Sequence, residues 1–310
     1  LSPRFGAGWR PHDKVLVRTS IADAFRAPTL YETRGHPPPG SVYGHHVSSP
    51  ATVVGPCAVE FGEECLLKIG VTTNPLLQPE YARTRNLGVV WSPRPALDLA
   101  LDWLHVERRD EIAIVNAVIG ADINPDTLVR DDAGRAVSYD SRFDNIGRTE
   151  VRGVHFDADW TLDPDAATRW RLRVQGHYLT HFRSSEHGRN IIEAPGHLAP
   201  RVSANASLQW KSPVWNLTLQ LRHFGGYRVH GARDSCPELH VAAGHCRNPS
   251  ITLLGANIGR NLGERWRVSM QIDNLTDRQP VNYDFARTGY NGAIDDPIGR
   301  AFVLRAVRSF

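Results

Sequence analysis

The chain has 310 residues, with 36 Lys and Arg against 33 Asp and Glu, a formal net charge of +3, 41% hydrophobic and 22% charged residues. That length admits one large β domain or two ordinary ones, and a small positive charge without a basic cluster gives nucleic-acid binding no support. No stretch approaches the roughly 18 consecutive apolar residues of a spanning helix, yet a mean hydropathy of −0.35 does not exclude a membrane barrel, whose strands alternate lipid-facing and lumen-facing residues.

Period-two alternation predicts about eleven strands. In chain order, weaker segments lie at Phe5 to Trp9, Val15 to Ala24 and Leu87 to Trp91. Leu97, Leu99, Leu101 and Trp103 then oppose Asp98 and Asp102, and Val154, Phe156, Ala158 and Trp160 oppose His155, Asp157 and Asp159. Trp170, Leu172 and Val174 oppose Arg169, Arg171, Arg173 and Gln175; Val202 to Trp210 and Trp215 to Leu221 alternate as strictly. A weaker segment at Ile251 to Arg260 follows, then Trp266, Val268, Met270 and Ile272 against Arg265, Arg267, Ser269, Gln271 and Asp273, and finally Phe302 to Phe310. Alternation alone fits a soluble antiparallel barrel or sandwich equally well.

Two further patterns favour an outer-membrane barrel. Connections alternate short (near Pro11, Pro93, Asp163, Lys211 and Asn261) with long (about Ala27 to Glu80, Val115 to Phe143, Arg183 to His197, His230 to Pro249 and Thr276 to Ile298), as periplasmic turns and extracellular loops do. Seven of the eight tryptophans, Trp9, Trp91, Trp160, Trp170, Trp210, Trp215 and Trp266, flank the short turns on the apolar face, where an interfacial aromatic girdle belongs. On this assignment the first strand descends to the periplasm and the eleventh ends there. A barrel with an even strand number and both ends in the periplasm then requires an odd number of strands upstream.

Four cysteines form two close pairs, Cys57 with Cys65 and Cys236 with Cys246, which suits two local disulfides in an oxidising compartment. The long first loop carries His36, Tyr43, His45 and His46, and the fourth carries His230, His240 and His245, so Tyr43, His45, His46, His240 and His245 are candidates to touch a metal chelate or other ligand. A zinc site from Cys236, His240, His245 and Cys246 is the alternative to the second disulfide; the disulfide is preferred, and no resident metal or cofactor is expected. The charges of the polar face read either as an electrostatic path for a charged ligand or as salt-bridge ladders holding another domain. No nucleophile elbow, zinc-protease helix, P-loop or dinucleotide fingerprint is present, so an enzyme is not expected.

Several segments resemble the C-terminal half of the barrel of TonB-dependent receptors. They are Phe25-Arg26-Ala27-Pro28-Thr29-Leu30-Tyr31-Glu32, Asn74-Pro75-Leu76-Leu77-Gln78-Pro79-Glu80, Asn145-Ile146-Gly147-Arg148-Thr149-Glu150-Val151-Arg152-Gly153-Val154, Gln271-Ile272-Asp273-Asn274-Leu275-Thr276-Asp277 and Gly299-Arg300-Ala301-Phe302. The resemblance spans essentially the whole of residues 1–310. It implies an all-β transmembrane antiparallel barrel of about 22 strands, of which these are the last half, preceded by a plug domain and a TonB-interacting segment. It further implies a multi-pass protein of the Gram-negative outer membrane, embedded in lipid and lipopolysaccharide. Such a receptor binds a scarce nutrient outside, a siderophore-iron complex or similar, and imports it with energy from the TonB-ExbB-ExbD complex. A passive porin-like channel is the alternative. Phe302, Leu304 and Phe310 fit the terminal signal read by the barrel-assembly machinery, with Arg308 at a position where that signal has an apolar residue.

Overall fold

The computed structural model describes residues 2–34, 43–48, 64–114, 118–119, 122–123, 128–130, 132, 136–162, 166–186, 189–192, 194–197, 199–228, 238–281 and 296–309. Eleven strands form one antiparallel meander, each hydrogen-bonded to its sequence neighbour: β1 (Arg4–His12), β2 (Val15–Arg26), β3 (Glu80–Arg94), β4 (Leu97–Ile114), β5 (Ala136–Leu162), β6 (Arg169–Glu186), β7 (Val202–Lys211), β8 (Trp215–Phe224), β9 (Ile251–Leu262), β10 (Trp266–Asp273) and β11 (Ala301–Arg308). Short turns therefore all lie at one rim and long connections at the other. The order matches the expected strands one for one.

β3 starts at Glu80 and β4 ends at Ile114, where the expected long connections meet them, eleven residues past Trp103 in the case of β4, whereas β5 begins at Ala136, within the segment expected to be loop. Backbone pairing thus continues well beyond the apolar alternation, because the ladder needs only matched N–H and C=O groups whereas alternation needs an apolar surrounding on one face. On the long-loop side, the strand Tyr43–Ser48 pairs with Glu64–Thr72, which adds in parallel to the first residues of β5.

Residues directly opposite one another share a face, so the register sorts the side chains into rows. One apolar row runs Val15, Trp91, Leu99, Ala158, Val174, Ala206, Leu221 and Leu254. Val15 is the first residue of β2, whereas Leu254 stands eight residues from Leu262 at the short-turn end of β9. Each row therefore climbs by about one residue per strand, the stagger characteristic of barrel walls.

Among the described residues no second layer covers the apolar face. Among the described residues only Leu77, Tyr227 and Leu253 are buried apolar side chains, while Trp9 (67%), Leu101 (56%), Trp266 (46%) and Leu304 (76%) stay open. A soluble sandwich buries that face in a second layer. This sheet presents it to its surroundings, which is stable where the surroundings are hydrocarbon.

Candidate functional site

The polar face is a wall of paired charges. Asp98 lies opposite Asp159, which lies opposite Arg173. Two carboxylates in register repel, and Arg171 (2.6 Å) and Arg173 (2.5 Å) both close on Asp159, while the Ser92 hydroxyl donates to Asp98 at 2.5 Å. Nearer β1, Arg18, Gly88 and Asp102 occupy successive positions of one row. Because Gly88 has no side chain, the Arg18 guanidinium passes over β3 and grips Asp102 with two hydrogen bonds of 2.6 and 3.0 Å. A Cβ on Gly88 would fall 2.0 Å from Asp102 Oδ1. Around this pair, toward the short-turn rim, lies a depression of about 570 Å³ lined by Arg10, Lys14, Arg18, Asp98, Asp102 and Asp157.

At the long-loop rim the strand ends are clasped by the segments that carried the family resemblance. Arg26 donates to Glu80 at 2.8 and 2.6 Å and to Glu32 at 3.1 Å, and Glu80 also accepts the Ile112 amide at 2.8 Å. One guanidinium thus joins β2, the helix Leu30–Arg34 and β3, and through Glu80 also β4. Thr29 caps that helix: its hydroxyl accepts the Glu32 amide at 3.2 Å while Glu32 accepts the Thr29 amide at 2.7 Å, a capping box. Burial pushes the Glu32 carboxyl up, but Arg26 and Thr29 outweigh it and hold the group below its ordinary value. Asn145 accepts the Gln78 amide at 2.8 Å and donates to the carbonyls of Gln78 and Asp110. A second clasp follows β10, where Asn274, at φ 49°, exchanges hydrogen bonds with the backbone of Arg278 and Asp277 accepts the Arg300 amide at 2.9 Å.

The ligand candidates are only partly placed. Tyr43, His45 and His46 lie on the strand Tyr43–Ser48, opposite Ile69, Leu67 and Leu66, with only the backbone described. His240 lies in the helix Glu238–Ala243, again as backbone, and half-buried His245 follows it, so the two groups of candidates sit on separate elements. His36 and His230 lie outside the described residues, as do Cys57, Cys236 and Phe310; of Cys65 the backbone alone is described, and Cys246 is disulfide-bonded. A cavity of about 320 Å³ opens beside β8 and β9 at the long-loop rim, lined in part by Phe224, Tyr227, Asn248, Ser250, Arg278 and Gln279. None of these lining residues stood out in the sequence, since scattered polar residues in loops carry no periodic signal.

The tryptophans flanking the short turns collect along that rim. Trp170 lies opposite Trp210 with ring centroids 6.2 Å apart, and Trp160 precedes them on the neighbouring strand. Trp215 lies under Arg260 (4.9 Å from guanidinium to ring centroid) and Trp266 under Arg308 (5.6 Å). The Arg308 that departs from the terminal pattern is therefore seated on an indole, an arrangement suited to a cation at headgroup depth. Arg201, just before β7, lies over the Tyr178 ring at 4.5 Å, beyond the end of the regular alternation.

Comparison with known proteins adds the following. Residues 1–275 match the family model described as TonB dependent receptor-like, beta-barrel. No curated protein matches the chain. Among solved structures, the siderophore receptor PirA from Acinetobacter baumannii is similar over the whole of this chain and 41% of its own, with a TM-score of 0.64 at 17% identity. The ferric enterobactin receptor mutant R480A from Pseudomonas aeruginosa (PfeA), in complex with enterobactin, gives 0.65 at 18% over 40% of its length, and the copper transporter OprC 0.58 at 14% over 39%. The chain thus spans about two fifths of the length of the structures it matches.

Proposed function

Because the chain belongs to the TonB-dependent receptor-like β-barrel family, we infer that it is the C-terminal part of the wall of a receptor that captures a scarce nutrient outside the cell and imports it with TonB-transduced energy. It is an outer-membrane β-barrel protein, and its family transports rather than catalyses. The observation that carries the reading is the family match over residues 1–275; the similarity to solved structures supports the fold alone.

On this reading the polar face lines the lumen, the short turns are periplasmic and the long connections extracellular. A plug domain occupies the lumen and seats in the charged depression around Arg18 and Asp102, whose lining carries both signs of charge. The TonB-ExbB-ExbD complex acts through that plug. The ligand is a metal chelate of the siderophore-iron class, met first by the loops that carry Tyr43, His45, His46, His240 and His245. Disulfides Cys57–Cys65 and Cys236–Cys246 stiffen two of those loops, lowering the entropy lost on capture. Phe302, Leu304 and Phe310 serve the assembly machinery.

The test is uptake by cells carrying the whole receptor, measured with labelled ferric siderophores of catecholate and hydroxamate type and with copper. Saturable uptake that stops when the proton-motive force is dissipated or TonB is deleted is expected. Non-saturable passage that persists without energy makes the protein a passive channel.

A further inference from the structure

One row of the polar face carries two histidines side by side. Asp102 lies opposite His155 on β5, His155 opposite His177 on β6, and His177 opposite Ser203 on β7. The row of Arg18, Gly88 and Asp102 described above therefore runs on into an imidazole pair, seven residues from the short-turn end of β5 at Leu162. The β5–β6 register is unbroken from Gly153 to Leu162, so both rings project from the same face of a continuous ladder. Opposed residues hold their Cβ atoms about 5 Å apart, a separation from which two imidazoles turn their nitrogens onto one ion at about 2.0 Å from each.

The surroundings suit a cation. The Asp102 carboxylate is already neutralised by Arg18 at 2.6 Å. Asp157, two residues from His155, lines the same depression and forms no ion pair among the described residues, so its charge adds attraction for a positive ion. The Ser203 hydroxyl stands 3.2 Å from His177 Nε2 and 3.3 Å from Nδ1. It is within reach of whichever nitrogen keeps its proton, which orients the ring and leaves the other lone pair for a ligand. Both histidines are exposed and so open to the lumen. Among the described residues no group of three or more His, Cys, Asp or Glu side chains is arranged to hold a metal ion. Two imidazoles alone make an open site, whose other positions belong to water or to a chelator that the ion carries, and such a site releases as readily as it binds. Imidazole nitrogens select copper, nickel and zinc over the oxygen-seeking magnesium and calcium, with Cu2+ the tightest of the series.

We propose that His155 and His177 form an exchangeable site for a divalent transition-metal ion, Cu2+ above all, on the lumen wall. The proposal rests on the lumen assignment of the polar face given above and on no particular nutrient.

The experiment uses the whole receptor purified in detergent and titrated with Cu2+ alone, read by calorimetry and by the nitrogen hyperfine splitting of the copper resonance. The wild type should show a class of site with two imidazole nitrogens. His155→Gln and His177→Gln should each weaken that class at least about tenfold, equivalent to about 1.4 kcal/mol, and the double variant should be little worse than either, because one ion shares both rings. His223→Gln, whose ring meets the Thr252 hydroxyl at 2.9 Å on the outward face, should leave it unchanged. Should a variant lose the fast-migrating folded band, the wild type itself gives the answer. Acylation of its histidines by diethyl pyrocarbonate, mapped by mass spectrometry, should be blocked at both His155 and His177 by Zn2+ and at neither by Mg2+. Unchanged copper affinity in either single variant overturns the proposal and assigns the copper to the loop histidines. A signal from one nitrogen only, or protection of one ring alone, also overturns it. Binding is read without transport, so loss of this site and failure of energised uptake are separate results.

Discussion

Single side chains at the rim clasps determine whether the strand ends stay together. Arg26 touches Glu80 and Glu32 with both edges of its fork, and its replacement by alanine leaves two half-buried carboxylates facing each other. After discounting for the partly exposed guanidinium, Arg26→Ala should cost about 1 to 2 kcal/mol, read as a lower urea midpoint for the folded band in detergent. The Glu32 carboxyl is held below its ordinary value, so the stability it contributes is present above the unfolded glutamate pKa and is lost as pH falls through the lowered folded value. Proteolysis of the first loop should therefore stay slow from neutral pH down through the ordinary glutamate range and accelerate below it. Glu32→Gln should remove that pH dependence and leave the loop cut at a raised, constant rate. At Gly88 the cost is steric: Gly88→Ala sets a methyl 2.0 Å from Asp102 Oδ1, forces apart the Arg18 pair and should destabilise by about 1 to 3 kcal/mol. The sequence marks Arg26, Glu32 and Glu80 as parts of a family pattern, but their mutual contact joins residues 54 apart and is invisible to any local periodicity.

A strand carries two unlike faces, and neighbouring positions on it should respond to the same substitution in opposite ways. Leu219 lies mid-band in the row of Leu208 and Ala256, whereas Gln220 lies opposite Ser207 and Gly255 on the polar face. Leu219→Arg should cost about 2 to 4 kcal/mol by placing a cation in hydrocarbon, and Gln220→Arg less than about 1 kcal/mol; paired unfolding curves in lipid vesicles measure both, and similar costs would sink the face assignment. This alternation is why all eleven strands were legible in the sequence. The apolar alternation is shorter than the pairing: above Trp103 and Val154 the outward residues become charged, and the ladder nevertheless runs on to Ile114 and back from Phe143, while the start of β5 at Ala136 lay in what reads as loop.

For the molecule as a whole, register carries information that no single strand does. A climb of about one residue per strand, at about 3.3 Å per residue and about 4.8 Å between strands, tilts the strands by about 35°. Closing about 22 strands at that tilt, the number the family resemblance implies, gives a cylinder about 20 Å in radius at the backbone, or about 15 Å clear of side chains. Loop specificity, plug sequence and TonB contact leave no such geometric trace in this chain, which is why the wall was readable and the cargo was not. The stagger nevertheless sets a demand on the cell. A bore of that width sieves almost nothing, so the outer membrane's resistance to bulky hydrophilic antibiotics depends on whatever fills it. On the receptor reading proposed above, deleting the plug while leaving the wall intact should make cells sensitive to such drugs in proportion to the number of receptors they carry, so that a cell making more of them would put more of its antibiotic resistance behind those plugs.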